Sequence, residues 1–131
     1  MPLIPVLRGG LTLTIYELRK AALERVFIIP FHVTRMNDSV MPASFYGAYV
    51  RCYVSGVDYV QAIKRALAKL LEDGLHPEEM LQPIQQMDAY SWSQHILDQW
   101  PDQAESLPSQ NEFNEVIQQG RVVYGPFGSY V

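Results

Sequence analysis

The 131-residue sequence has a single cysteine and no long apolar stretch. With Cys52 alone, no disulfide can form within the chain, and nothing favours an oxidising compartment. No run reaches the roughly 18 to 20 consecutive apolar residues of a membrane-spanning helix, and the N-terminus lacks the pattern of an export signal. We therefore expect a cytoplasmic protein with no membrane partner.

Positive charge is also scarce, because ten Lys and Arg residues stand against fourteen Asp and Glu residues, for a net charge of -4. Binding to nucleic acid depends on neutralising phosphates with basic side chains. We therefore expect no nucleic-acid partner. Apolar residues make up 48% of the chain and charged residues 18%, which is typical of a folded globular protein rather than a disordered one.

Clusters of metal-ligating residues are missing from the sequence. None of the three histidines, His32, His76 and His95, lies three or four residues from another histidine or a cysteine, so we expect no transition-metal site. Gly125 and Gly128 are followed by no helix that could bind a phosphate. The sequence thus predicts no metal and no cofactor.

Candidates for covalent or acid-base chemistry are weak. Adjacent carboxylates occur at Glu72/Asp73 and Glu78/Glu79, but adjacency favours solvated charge over two carboxylates that face each other across a substrate. Cys52 lies in an apolar row of a predicted strand, where burial disfavours the thiolate. We interpret Cys52 as a packing residue and predict no catalytic residue from these groups.

The charge changes along the chain at the turn-rich segment NDSVMP. Residues 1–40 carry five bases and three acids, whereas residues 41–131 carry five bases and eleven acids. We predict an α+β domain over residues 41–131. Residues 1–40 are either an edge element of the same domain or a loosely attached extension, and a compact domain that starts at Met41 is a further alternative.

Within residues 1–40, the spacing of apolar residues in TIYELRKAALERVF indicates a helix. The following VFIIPFHV is typical of a short β-strand. Because Pro30 cannot donate a hydrogen bond to a neighbouring strand, we expect this strand at the edge of a sheet.

Residues 45–73 contain the clearest pattern of the chain. FYGAYVRCYV, from Phe45 to Val54, is rich in β-branched and aromatic residues and predicts a strand that stops at Ser55. A long helix follows, with Ser55 as its N-cap and Gly74 just past its end. Its predicted apolar face consists of Val57, Val60, Ile63, Leu67, Leu70 and Leu71.

The remaining elements are short. EEMLQPIQQMD reads as a second strand that Pro83 confines to an edge or a bulge, and YSWSQHILDQW as a helix with Trp92, Ile96 and Trp100 on one side. Ser109 and Glu112 have capping-box spacing for another helix. RVVYGPFGSYV predicts a final strand and an aromatic tail.

This order of elements predicts an α+β fold in one small domain. We expect a sheet of about three to four strands with one long and two or three short helices, mainly on one face, in a ferredoxin-like or split βαβ pattern. A fold pattern of this kind hosts many unrelated functions and therefore predicts no activity.

Alternation along FYGAYVRCYV divides its side chains between the two faces of the sheet. One row, expected to pack on the long helix, contains Tyr46, Ala48, Val50, Cys52 and Val54. The other row contains Phe45, Gly47, Tyr49, Arg51 and Tyr53. It is either covered by the short helices or residues 1–40, or it is a binding surface, because Tyr and Arg are enriched in protein interfaces.

The sequence favours a non-catalytic protein-interaction module. We expect it to bind itself or a basic protein, such as a toxin or enzyme that it inhibits, because its surface is acidic. The expected surface comprises Phe45, Tyr49, Arg51, Tyr53, Tyr124, Phe127 and Tyr130. The alternative hypothesis is a small enzyme whose site is assembled from His95, Asp88 and a tyrosine.

Overall fold

A computed structural model describes residues 25–131, so the helix predicted from TIYELRKAALERVF falls almost wholly outside the described residues. The strands are β1 (Arg25–Arg35), β2 (Gly47–Ser55), β3 (Leu75–Met80), β4 (Gln85–Asp88), β5 (Val123–Tyr124) and β6 (Gly128–Tyr130). The helices are α1 (Tyr59–Glu72), α2 (Trp92–Gln99) and α3 (Gln110–Gln118), with single 3-10 turns at Ala89–Ser91 and Ala104–Ser106.

The strands form one antiparallel sheet around the two long strands β1 and β2. β3 and β4 pair in succession with the outer edge of β1, and β5 and β6 pair in succession with the outer edge of β2. The α+β class is confirmed, but the predicted three to four strands are wrong, since the described sheet has six. At each edge of the sheet, a segment that contains a proline separates two short strands. Pro83 lies between β3 and β4, and Pro126 lies between β5 and β6, so two strands take the place of each single strand predicted there.

β1 is a central strand, so the prediction that Pro30 marks an edge is wrong. Pro30 lies opposite Arg51 of β2, and its carbonyl accepts a hydrogen bond of 2.8 Å from the backbone N–H of Leu81. A residue in an antiparallel strand directs its N–H and C=O to the same neighbour. An N–H group at position 30 would therefore point into the gap between β3 and β4, where neither strand offers an acceptor, so proline is tolerated there.

Helices cover both faces of the sheet, in contrast to the predicted arrangement mainly on one face. The core under α1 contains Phe27, Ile29, Phe31, Val33, Ala48, Val50, Cys52, Val54, Ala62, Ala66 and Leu70. The core under α2 and α3 contains Val26, Ile28, Tyr53, Trp92, Ile96, Phe113 and Ile117. The ferredoxin-like pattern predicted from the order of elements is thus corrected to a sheet with a separate core on each face.

α1 is rotated relative to its predicted orientation. Its fully buried residues are Ala62, Ala66 and Leu70, whereas Val57 just before it is 87% exposed. The small alanines let the helix axis approach β1 and β2 closely, so the larger residues are displaced to the flanks and to solvent. The N-cap is Asp58 rather than Ser55, and its carboxylate accepts a hydrogen bond from Gln61 N.

The local predictions for Gly74, Ser109 and Glu112 are confirmed. Gly74 and Gly120 follow helices with φ of +72° and +70°, the left-handed conformation that favours glycine. Ser109 and Glu112 form the predicted capping box at the start of α3. Within residues 25–131, no helix is long and apolar enough to cross a membrane.

Replacement of Ser109 tests whether the N-cap of α3 stabilises the fold. We expect Ser109→Ala to lower the free energy of unfolding by about 1 kcal/mol, because one backbone N–H loses its acceptor. Urea denaturation measures the change, with Ser93→Ala, an exposed serine within α2, as the matched control. Equal stabilities of the two variants would contradict a stabilising role for the cap.

Candidate functional site

Among residues 25–131, helices cover one end of the sheet face opposite α1 and leave the other end open. At the covered end, Tyr53 of β2 is completely buried beneath α2 and α3. Four residues earlier on the same strand and the same face, Tyr49 is 52% exposed. The aromatic-arginine row predicted from alternation is therefore divided between a core and an exposed surface.

At the covered end, Tyr53 packs edge-on against Trp92, with ring centroids 5.0 Å apart, and its hydroxyl lies 2.7 Å from Nε2 of His95. Burial raises the pKa of Tyr53 to about 12. Burial and then the nearby Arg51 guanidinium lower the pKa of His95, against an opposing effect from Asp98. Both side chains are therefore uncharged at neutral pH, which fits their place in an aromatic core.

At the open end, four ring side chains form what we call the tyrosine cluster. It consists of His32, Tyr46, Tyr49 and Tyr130. His32 of β1 stacks on Tyr49 of β2 with centroids 4.7 Å apart, and a hydrogen bond of 2.6 Å joins its Nε2 to the hydroxyl of Tyr130. The cluster connects the neighbouring strands β1, β2 and β6, so its rings are held in place by strand pairing as well as by their own contacts.

Gly47 allows Tyr130 to reach across the sheet. It pairs with Tyr130 in the ladder between β2 and β6, and a Cβ atom at Gly47 would lie 2.6 Å from Cζ of Tyr130 and 2.7 Å from the carbonyl oxygen of Val33. Only glycine leaves room for the ring to lie over β2 and contact His32. Partial burial, with the neighbouring phenols of Tyr49 and Tyr46, raises the pKa of Tyr130, so its hydroxyl stays protonated.

A shallow groove of about 370 Å³ crosses the sheet between the tyrosine cluster and the end of α2. Its lining residues are Pro30, Phe31, Tyr49, Val50, Arg51, Leu81, Trp100, Pro126 and Gly128. The Arg51 guanidinium lies 5.4 Å from the centre of the Trp100 ring and donates a hydrogen bond of 3.2 Å to Gln99. The groove therefore has aromatic walls on two sides and one positive charge between them.

Acidic side chains border the open end. Glu79 lies opposite His32 in the ladder between β1 and β3, and the carboxylate of Glu78 accepts a hydrogen bond of 2.7 Å from the hydroxyl of Thr34. Both glutamates are exposed. Among residues 25–131, Arg51 is the one Lys or Arg that lines the groove or belongs to the tyrosine cluster.

Three residues of the predicted surface lie on the α1 side of the sheet. Phe45, Tyr124 and Phe127 are half-buried against the α1 core, and the Tyr124 hydroxyl donates a hydrogen bond of 2.7 Å to Asp73. Burial, followed by this carboxylate, raises the pKa of Tyr124. Conversely, Tyr46 was assigned to the core row and is 66% exposed. β2 begins at Gly47, so strict alternation does not extend to positions 45 and 46.

The core role predicted for Cys52 is confirmed, because the side chain is completely buried and burial raises the pKa of its thiol. His32 and Trp100 belong to the candidate site, although the sequence patterns did not indicate either residue as surface. His32 enters the site through its ladder partner Tyr49. A pattern along one strand contains no information about which strand lies beside it.

The residues of the alternative enzyme hypothesis are brought together only in part. His95 meets Tyr53, whereas the Asp88 carboxylate accepts a hydrogen bond from Tyr90 N and caps the first 3-10 turn. In residues 25–131, no group of three or more His, Cys, Asp or Glu side chains is arranged to hold a metal ion.

The close approach of Gly47 and Tyr130 predicts a position-specific effect. We expect Gly47→Ala to destabilise the fold by about 1 to 3 kcal/mol, because the added methyl group displaces the Tyr130 ring. Gly128→Ala is the matched control, since its Cβ would lie at an ordinary 3.6 Å from the Tyr49 carbonyl oxygen. Equal unfolding free energies in urea for the two variants would refute the role of Gly47.

The environment of His95 predicts a pH dependence. Because its folded-state pKa lies below the usual value of 6.5, the unfolded chain takes up the proton first as pH falls, and stability is lost below about pH 6.5. We expect His95→Gln to reduce the decrease in unfolding free energy between pH 7.5 and pH 5.5. An unchanged pH profile in urea titrations of this variant would contradict the assignment.

Comparison with known proteins gives no match at any level: no family model, no curated protein and no solved structure matches this chain.

Proposed function

We propose that this chain is a non-catalytic protein-interaction module that binds a basic protein through the open end of its sheet. The observation that carries the proposal is the tyrosine cluster, a group of contacting rings beside a groove in which Tyr46 and Tyr49 are exposed and His32 and Tyr130 are half-buried. Large exposed apolar groups on a folded domain are typical of binding sites when they are contiguous.

The tyrosine cluster has the chemistry of an interface centre. Tyrosine provides a large contact area with two rotatable side-chain angles, and its hydroxyl can bond to a partner at the rim. In Tyr130 and Tyr49, the contacts with His32 restrict the rings before any partner arrives. This preorganisation lowers the entropy cost of binding, which supports a surface selected for association.

The groove supplies a pocket for one partner side chain. At about 370 Å³ it lies near the lower end of ligand-site volumes, and its walls are Tyr49 and Trp100. Interfaces gain most of their affinity where a side chain of one protein fills such a pocket on the other. The breadth of the open sheet around the groove favours a protein over a small molecule as the occupant.

Charge supports a basic partner. The chain carries -4 overall, and Glu78 and Glu79 lie at the border of the tyrosine cluster. Exposed tyrosine faces also attract Lys and Arg side chains through cation–π contacts. A second copy of the chain is a less favourable occupant, because two acidic surfaces repel each other.

The enzyme alternative has less support. The tyrosine that His95 contacts is Tyr53, and this pair lies within the aromatic core under α2 and α3. Asp88 is engaged in capping at the start of the 3-10 turn. Core packing accounts for the contact between His95 and Tyr53, and capping accounts for that of Asp88, without a substrate.

Matched tyrosine variants test the proposed surface. Tyr49 and Tyr59 are 52% and 57% exposed, but Tyr59 lies on α1, away from the groove. Proteins captured by the immobilised wild-type chain are purified, and their affinity for the wild type and for each variant is measured by calorimetry. We expect a basic partner whose affinity falls at least about tenfold with Tyr49→Ala, as for an interface hot spot, and is unchanged with Tyr59→Ala.

Light scattering after size-exclusion chromatography, over a range of concentrations, measures the oligomeric state of the chain as the second part of this test. We expect the chain alone to be monomeric. If the chain instead forms a dimer, and Tyr49→Ala dissociates it, the occupant of this surface is a second copy of the chain and not a basic partner. Equal losses of binding in both tyrosine variants, or capture of acidic proteins only, would refute the proposed surface.

A further inference from the structure

A second pocket lies on the flank of α1, away from the tyrosine cluster. It has a volume of about 260 Å³ and is formed by α1 on one side and the segment between α3 and β5 on the other. Its lining residues include Arg65, Lys69 and Arg121, with Glu72 as the one acidic member. Three of the seven Lys and Arg residues at positions 25–131 therefore converge on one pocket of an acidic chain.

Arg65 is fixed at the inner end of the pocket. Its Nη1 donates a hydrogen bond of 2.8 Å to the carbonyl oxygen of Ser55. A Cβ atom on Gly120 would lie 3.2 Å from Cζ of Arg65, so the absence of a side chain there leaves the guanidinium plane against the backbone. The contact with Ser55 occupies one edge of the guanidinium and leaves other N–H donors for a ligand.

Lys69 and Arg121 provide charge from opposite walls. Lys69 lies one helical turn beyond Arg65, and its Nζ is 3.3 Å from the Asp73 carboxylate and 3.8 Å from that of Glu72. Asp73 also accepts the Tyr124 hydroxyl, so its negative charge is shared. Arg121 is exposed, and its Nη1 makes one long hydrogen bond of 3.4 Å with Gln119.

The C-terminal ends of α1 and α3 explain only part of this arrangement. A base in the last turn of a helix is favoured by the helix dipole, and Lys69 occupies that position in α1. Arg65 is seven residues before the end of α1, beyond the range of that effect. Among the charged residues that line the pocket, Arg65, Lys69 and Arg121 outnumber Glu72, so a bound anion would offset the remaining positive charge.

We propose that this pocket, the basic pocket, binds the phosphate group of a small phosphomonoester. A planar guanidinium suits two phosphate oxygens at once, and an ammonium group neutralises the dianion as a point charge. Ala68, whose short side chain lines the same pocket, leaves space for the phosphate between the two walls. The small volume favours a single phosphate with a compact substituent over a nucleotide.

Amide NMR titration of the full chain with inorganic phosphate and with glycerol 2-phosphate tests the proposal. Sodium chloride at matched ionic strength and glycerol are the blanks. We expect saturable shifts at Ala68, Gly120 and Val122 with both phosphates. Arg121→Gln is expected to bind at least about tenfold more weakly, because one charge-assisted hydrogen bond is lost.

Lys64→Gln is the charge-matched control, because Lys64 is exposed on α1 and does not line the pocket. We expect it to bind both phosphates as the wild type does. Equal weakening by Arg121→Gln and Lys64→Gln would reduce the effect to general charge and overturn the proposal. Absence of saturation would also overturn it, as would binding of inorganic phosphate without glycerol 2-phosphate. None of these results bears on the tyrosine cluster.

Discussion

The arrangement of residues 25–131 depends on how little of the sheet the three described helices can cover, although both faces carry apolar side chains. β1 has 11 residues and spans about 36 Å at strand geometry. α1 has 14 residues and spans about 21 Å, whereas α2 and α3, with eight and nine residues, each span only about 12 to 14 Å. On the face opposite α1, the two short helices are gathered over Tyr53, and the remainder of that face in the described chain is covered by side chains alone.

The side chains of the tyrosine cluster are held in place by contacts with one another, although part of the cluster is exposed. Tyr130 lies over Gly47, bonds to His32 and neighbours the stacked Tyr49, which fixes aromatic surface that would otherwise be mobile. Charge is separated as well, since α1 and its flank carry the basic pocket while Glu78 and Glu79 border the open end. The two proposed sites therefore attract ligands of opposite charge from different sides of the molecule.

Local features could be predicted from the sequence, whereas features that depend on neighbouring strands could not. Alternation correctly indicated the burial of Cys52, and capping chemistry located Ser109. The central position of Pro30 depends on a gap between β3 and β4 that no local pattern shows. Likewise Tyr49 and Tyr53 have the same place in the alternation, and only the position of α2 makes one exposed and the other buried.

Tyrosine nitration with tetranitromethane, mapped residue by residue with mass spectrometry, tests this division of the sheet face most directly. In the native chain, Tyr49 and Tyr46 are predicted to react much faster than Tyr53, which is buried under Trp92. After unfolding in urea, the rates are predicted to converge. Comparable native rates for Tyr49 and Tyr53, or protection of Tyr49 in the monomer, would contradict an open aromatic surface.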